Sequence, residues 1–187
     1  MLKTRHDDAL DESEWQEFLV TQDFGQIVAP GLERAFPMIV PTHYRFDGVS
    51  LIELHLHRRN PLWQALRERP TAAFTVIGAH VFIPSTWNVE RERPVEWAAP
   101  TSYYATVQAL CKAVVVDDPQ EIAGVLQRQM AQMQPEGGYA SIVPGENPYG
   151  RCSTRSAHSS CRSSMYGRSS SSGATERPTT KQVSRGD

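Results

Sequence analysis

After Gly150 the chain stops supplying the residues from which a core is made. Residues 151–187 contain no Leu, Ile, Phe or Trp and a single Val, Val183, but eleven Ser, four of them consecutive at Ser169–Ser172. Such a segment cannot bury enough apolar area to offset the entropy of ordering it, so it reads as a disordered Ser/Arg-rich tail. Whatever folds must be built within residues 1–150. The charge turns over at the same point. Residues 1–150 carry 12 Lys/Arg against 19 Asp/Glu, whereas 151–187 carry 7 against 2. A natural flexible extension, a nucleic-acid-binding tail and a shift of reading frame near Gly150 all fit this composition.

Residues 1–150 suffice for one domain with a sizeable core. No run of about 18 apolar residues occurs, so no membrane span is expected. Met1–Asp8 lacks the apolar stretch of a secretory signal. Cys111 lies in an apolar run, while Cys152 and Cys161 lie in the tail. Their spacing indicates neither a zinc site nor a disulfide framework, which suits a cytoplasmic protein.

Asp11 and Glu14 form a capping pair for a short helix, and Trp15, Phe18 and Leu19 share one of its faces. Phe24–Ala29 reads as a strand. Phe36–Tyr44 reads as an edge or bulged strand, because Pro37 and Pro41 lack ladder N–H groups. Ser50–His57 alternates: Ile52, Leu54 and Leu56 face one way, Glu53, His55 and His57 the other. Asn60-Pro61 starts a helix reaching about Arg67. Strands at Ala72–Ile77 and His80–Ile83 follow, joined at Gly78-Ala79. A polar loop from Pro84 to Thr101 holds Trp87 and Trp97, and Tyr103–Val116 is a long strand. Asp118-Pro119 caps a helix whose face is Ile122, Val125, Leu126, Gln129 and Met130. The order predicts a mainly β chain with flanking helices (α+β), a small barrel rather than a Rossmann unit. Trp15 and Trp63 are expected in the core.

No nucleophile elbow, P-loop or zinc-protease helix is present, so catalytic residues are unknown and no metal site is expected. Polar groups instead gather at strand ends: Thr42 and His43; His55, His57, Arg58, Arg59 and Asn60; Ser85 and Trp87; Thr101 and Tyr103. Paired arginines beside a helix start suit a phosphate. Loop aromatics and hydroxyls suit a planar ring with a polar arm.

Three stretches carry a family likeness: Leu54–Trp63 (LHLHRRNPLW), Ala79–Trp87 (AHVFIPSTW) and Pro100–Gln108 (PTSYYATVQ). In that order they resemble the FMN-binding negative transcriptional regulators, the PaiB-like proteins, over roughly residues 15–150. The resemblance implies an FMN-binding split β-barrel at 1–150 and a homodimer with FMN at the subunit interface. Arg58, Arg59 and Asn60 would face the phosphate. Thr42, His43, His55, Ser85, Trp87, Thr101 and Tyr103 would complete the cofactor site. The resemblance also implies a final apolar strand and a basic, glycine-containing segment after Gly150. Arg151–Asp187 has neither, which favours the shifted reading frame and a barrel incomplete at its C-terminus.

The leading expectation is an FMN-binding regulator or flavin-dependent reductase. The alternatives are a dimeric interaction protein that has lost the flavin, and haem binding through His55 or His80. Direct nucleic-acid binding is disfavoured, because residues 1–150 are acidic and lack a helix-turn-helix pattern.

Overall fold

The computed structural model describes residues 12–32 and 34–149, and the backbone alone of 154–161 and 169–171. Helix α1 (Glu12–Thr21) is followed by strands β1 (Phe24–Ala29), β2 (Met38–His43), β3 (Arg45–Phe46) and β4 (Leu51–His57). Helix α2 (Leu62–Glu68) leads into the long strand β5 (Thr71–Ile83). A one-turn helix α3 (Ser85–Asn88) and a 3-10 turn (Val95–Trp97) precede β6 (Thr101–Val116) and helix α4 (Pro119–Met133). Strands β7 (Thr154–Cys161) and β8 (Ser169–Ser171) follow.

The strands form one sheet in the order β2-β1-β5-β6-β7-β4-β3, with β8 against β6. Every pairing is antiparallel. The first and last members of that path, β2 and β3, are consecutive in the chain and separated only by Tyr44. One bent segment, residues 38–46, thus supplies both edges, and the hydrogen-bonded path does not close on itself. Tyr44 is buried at the bend, its hydroxyl donates to Leu19 O at 2.8 Å, and its ring meets Phe74 edge-on at 5.0 Å. The core lies inside this curved sheet, capped by Trp15 and Leu19 of α1 and by Leu62, Trp63, Ala65 and Leu66 of α2. Both tryptophans sit in the core, as expected.

Local chemistry explains most element ends. Asp47 Oδ1 accepts from the N–H groups of Val49, Ser50 and Leu51 at 2.8–2.9 Å, closing the turn into β4 around Gly48 at φ +87°. Asp118 Oδ1 accepts from Gln120 N and Glu121 N at 3.0 and 2.9 Å, and Pro119 opens α4. Asp118→Ala is expected to lower stability by about 1 kcal/mol, read as a shifted urea midpoint with an unchanged slope. An unshifted midpoint would mean the cap is not formed in solution.

Three expectations are corrected. Gly78-Ala79 is not a turn between two strands; β5 runs through it with a register shift between Ile77 and His80. A Cβ at 78 would come within 2.7 Å of the Phe18 ring, so a larger residue there would require that ring to shift. Thr154–Cys161 and Ser169–Ser171 are strands although no strand pattern marks them, and β7 lies between β6 and β4, bonded to both. A ladder needs only backbone groups, so a polar sequence can fill a slot with a partner on each side. The rest of the tail lies outside the described residues. Finally, Cys111 is disulfide-bonded, and its register partner on β7 is position 161.

Candidate functional site

The turn from β4 into α2 is tied down entirely by its own backbone and neighbours. Asn60 N donates to His57 O at 2.8 Å, and Trp63 Nε1 donates to the same carbonyl at 3.0 Å. Asn60 Oδ1 accepts from Leu62 N at 3.0 Å, and Trp63 N reaches Asn60 O at 3.2 Å. The helix start therefore uses its first N–H groups internally, so the anion-binding capacity of this turn rests on side chains. Arg58 and Arg59 supply it. Both are exposed, and neither has an ion-pair partner among the described residues.

A second group lies where β5 gives way to β6. Ile83 pairs with Thr101 and Val81 with Tyr103. Between them the loop is pinned by Asn88 Nδ2, which donates to Ala99 O at 2.8 Å. Ser85 is half-buried and Thr101 buried, while Trp87 is 74% exposed and Tyr103 40% exposed. Trp97, also 74% exposed, lies on the 3-10 turn that packs against α3. Sequence reasoning left it in a loop without a role.

Thr42 and His43 form a third group at the end of β2. Thr42 is buried and its hydroxyl donates to His43 O at 3.1 Å. His43 Nδ1 is 3.3 Å from Asp23 O, and its ring meets Phe24 edge-on at 4.9 Å. Their register partners, Gly25 and Phe24, line a cavity of about 190 Å³ together with Gln26, Pro41, Thr75 and Ile77. This cavity lies on the same half of the sheet as the Trp87–Tyr103 group, because β5 continues from Ile77 directly to Val81.

Within one chain these groups do not all meet. The arginine turn follows the end of β4, whose His55 pairs with Ser156, which pairs in turn with Val116 at the last residue of β6. Thr101 and Tyr103 lie at the first residues of that strand. The arginines and the aromatic groups thus occupy opposite ends of β6.

His55 goes elsewhere. Its Nδ1 makes a short hydrogen bond to Gln129 Oε1 on α4, an arrangement in which Nδ1–H donates. Gln129 Nε2 in turn donates to Glu53 O at 3.2 Å. Beside it, the Glu53 carboxylate is buried and takes Arg128 Nε at 3.0 Å, Arg128 Nη2 at 2.5 Å and Arg45 Nη1 at 3.0 Å. Burial works against its charge, but the hydrogen bonds and charges of Arg128 and Arg45 outweigh it and hold the carboxyl below its ordinary range. The polar face of β4 is therefore a docking surface for α4. Its period-2 pattern was legible, but its cover was not. Among the described residues no cluster of His, Cys, Asp and Glu is placed to hold a metal, and no helix is long and apolar enough to cross a membrane.

The donor set suits FMN: two guanidinium groups without an ion-pair partner among the described residues for a phosphate, and exposed indole and phenol rings for a planar ring system. The curved antiparallel sheet, bent at one segment to supply both its edges and flanked by helices, defines a split β-barrel. The chain belongs to the family described as "Putative FMN-binding domain", whose model matches residues 1–156, and FMN is its cofactor. Among solved structures it is similar to a "putative 5-nitroimidazole antibiotic resistance protein" from Bacteroides thetaiotaomicron, with a TM-score of 0.65 and 13% identity over 86% of this chain and 85% of that one. It is also similar to the flavocytochrome Anf3 of Azotobacter vinelandii, with a TM-score of 0.60 and 16% identity over 83% and 67% of the two chains. A third likeness is to an FAD- and haem-binding protein from Mycobacterium smegmatis, with a TM-score of 0.59 and 13% identity over 89% and 74%. At these identities the likenesses establish the fold. No curated protein matches the sequence.

Proposed function

We propose that the protein is a homodimeric FMN-binding split-barrel protein of the PaiB-like kind, in which two copies complete each flavin site. The carrying observation is the separation of the arginine turn from the aromatic groups along β6. Arg58 and Arg59 of one copy hold the phosphate, and Thr42, His43, Ser85, Trp87, Thr101 and Tyr103 of the other line the ribityl arm and ring. Asn60 shapes the arginine turn, and His55 contributes by fixing α4. Exposed Ile77, Val81, Phe82, Trp87 and Trp97 supply the apolar surface that a second copy would cover. When bound, FMN supplies one- and two-electron redox chemistry, which the protein positions and tunes. This reading assigns none of the site residues a general acid, base or nucleophile role and rests any redox activity on the flavin itself. The acidic composition of residues 1–150 argues against direct contact with nucleic acid in any regulatory role.

An FMN titration followed by absorbance, with mass by light scattering, tests this reading. Wild type is expected to take up one FMN per chain as a dimer. Arg58→Ala with Arg59→Ala is expected to weaken uptake by at least about tenfold, since each charge-assisted bond contributes about 1.5–3 kcal/mol. A dimer that stays colourless would instead point to an interaction protein without the flavin. Equal uptake by the double variant would remove the arginines from the site.

A further inference from the structure

The outer face of the sheet carries a second cavity, unrelated to the residues above. Val28, Ala73 and Leu110 are register partners on β1, β5 and β6 and form one cross-strand row. Leu110 is 49% exposed, so this row faces outward, away from the core. Ala73 is its smallest member, and the row dips between Val28 and Leu110. Pro37 and Pro70 wall the dip, giving a groove of about 660 Å³.

Two of the lining residues are charged, and both are cations: Arg69 and Lys112. They flank the same end. Lys112 pairs with Thr71, and Ala113 N donates to Pro70 O at 3.1 Å, which lays residues 69–71 beside 112–113. Both side chains are exposed and neither has an ion-pair partner among the described residues. The charged neighbours in sequence are already engaged, Arg67 with Asp117 and Glu68 with Arg34. In a domain with 19 acidic and 12 basic residues, an apolar groove whose charged lining residues, among those described, are both cations is complementary to one kind of guest.

We infer that this groove binds an amphipathic carboxylate, its head between Arg69 and Lys112 and its aliphatic body along Val28, Ala73 and Leu110. Neither part suffices alone. Exposed ion pairs contribute little, and an apolar body without a head leaves the cations without a role in recognition. The groove lies about 30 Å along β5 from Phe82, from the strand rise per residue. It is therefore separate from the aromatic end of the sheet.

The test uses the purified full chain and sodium decanoate below its micellar range, followed by calorimetry, with decanol and acetate as controls. Expected are one decanoate per chain, binding at least about tenfold tighter than either control, and about tenfold weakening in Arg69→Glu and in Lys112→Glu. Ala73→Phe, checked for folding by circular dichroism, fills the dip and abolishes binding. Equal affinity for decanol, unchanged affinity in both charge reversals, or no decanoate binding overturns the inference. So does a dimer that dissociates on Ala73→Phe, which would place a second copy over the groove. FMN uptake is read in parallel on the same variants and does not depend on the result.

Discussion

Trp63→Ala is expected to destabilise the protein by about 4 kcal/mol, the range for emptying a buried tryptophan site. Trp63 is 1% exposed within the core and is the largest of its fully buried side chains. Domains of this size are stable by only about 5–15 kcal/mol, so a large share of native stability would be removed. The effect reaches the flavin site by a short route. Trp63 Nε1 and Asn60 N both donate to His57 O, the carbonyl at which the Arg58–Arg59 turn begins. Trp63→Phe keeps most of the buried area and leaves that carbonyl its bond from Asn60. Its cost is therefore expected near 1 kcal/mol, with FMN affinity reduced more than stability implies. Urea midpoints and FMN titrations of the two variants separate the effects. An alanine variant with the wild-type midpoint would mean α2 does not plug the sheet.

Glu53 should dominate the acid side of the stability profile. Its folded carboxyl titrates below the unfolded value of 4.5. The stabilisation is complete above that value and is lost as pH falls through the folded pKa. Glu53→Gln is expected to flatten this limb and to lose about 2 kcal/mol at neutral pH. That is less than the 3–5 kcal/mol for breaking a fully buried pair, because Arg45 and Arg128 are 29% and 44% exposed and can turn to water. A weaker slope remains in the variant. It comes from Asp47, where backbone N–H bonds outweigh burial, and from Glu68, held low chiefly by its bond from Arg34. Unfolding midpoints measured from about pH 7 to pH 3 decide the matter. Parallel profiles for variant and wild type would show that the buried carboxylate is not ionised in the folded protein.

The sequence made most of the element list legible, because periodicity and punctuation are local. Strand β1 has the bounds read from Phe24 to Ala29, and the alternation of β4 assigns its inward residues correctly. What it did not disclose were matters of partnership. Glu53 meets Arg45 eight positions away and Arg128 75 positions away. A polar strand face reads the same under water or under a helix that brings matching cations. Gly78 looked like punctuation because the ring that packs close over it, Phe18, lies sixty positions earlier. Strand β7 gave no signal at all: its pairing with β4 and β6 draws on backbone groups every residue possesses. For the site, residue types were readable and their grouping was not. Within one chain Arg58 and Tyr103 lie toward opposite ends of β6, a separation that their residue types do not announce.

The bend at Tyr44 has a consequence for how this sheet breathes. Amide protons in β2 and β3 belong to opposite edges, where exchange with solvent would ordinarily be independent. Here a single stretch, residues 38–46, carries both, and the Tyr44 hydroxyl anchors it to Leu19 of α1. Releasing that anchor frees the two edges together, so their amides should exchange as one cooperative unit with a shared opening free energy.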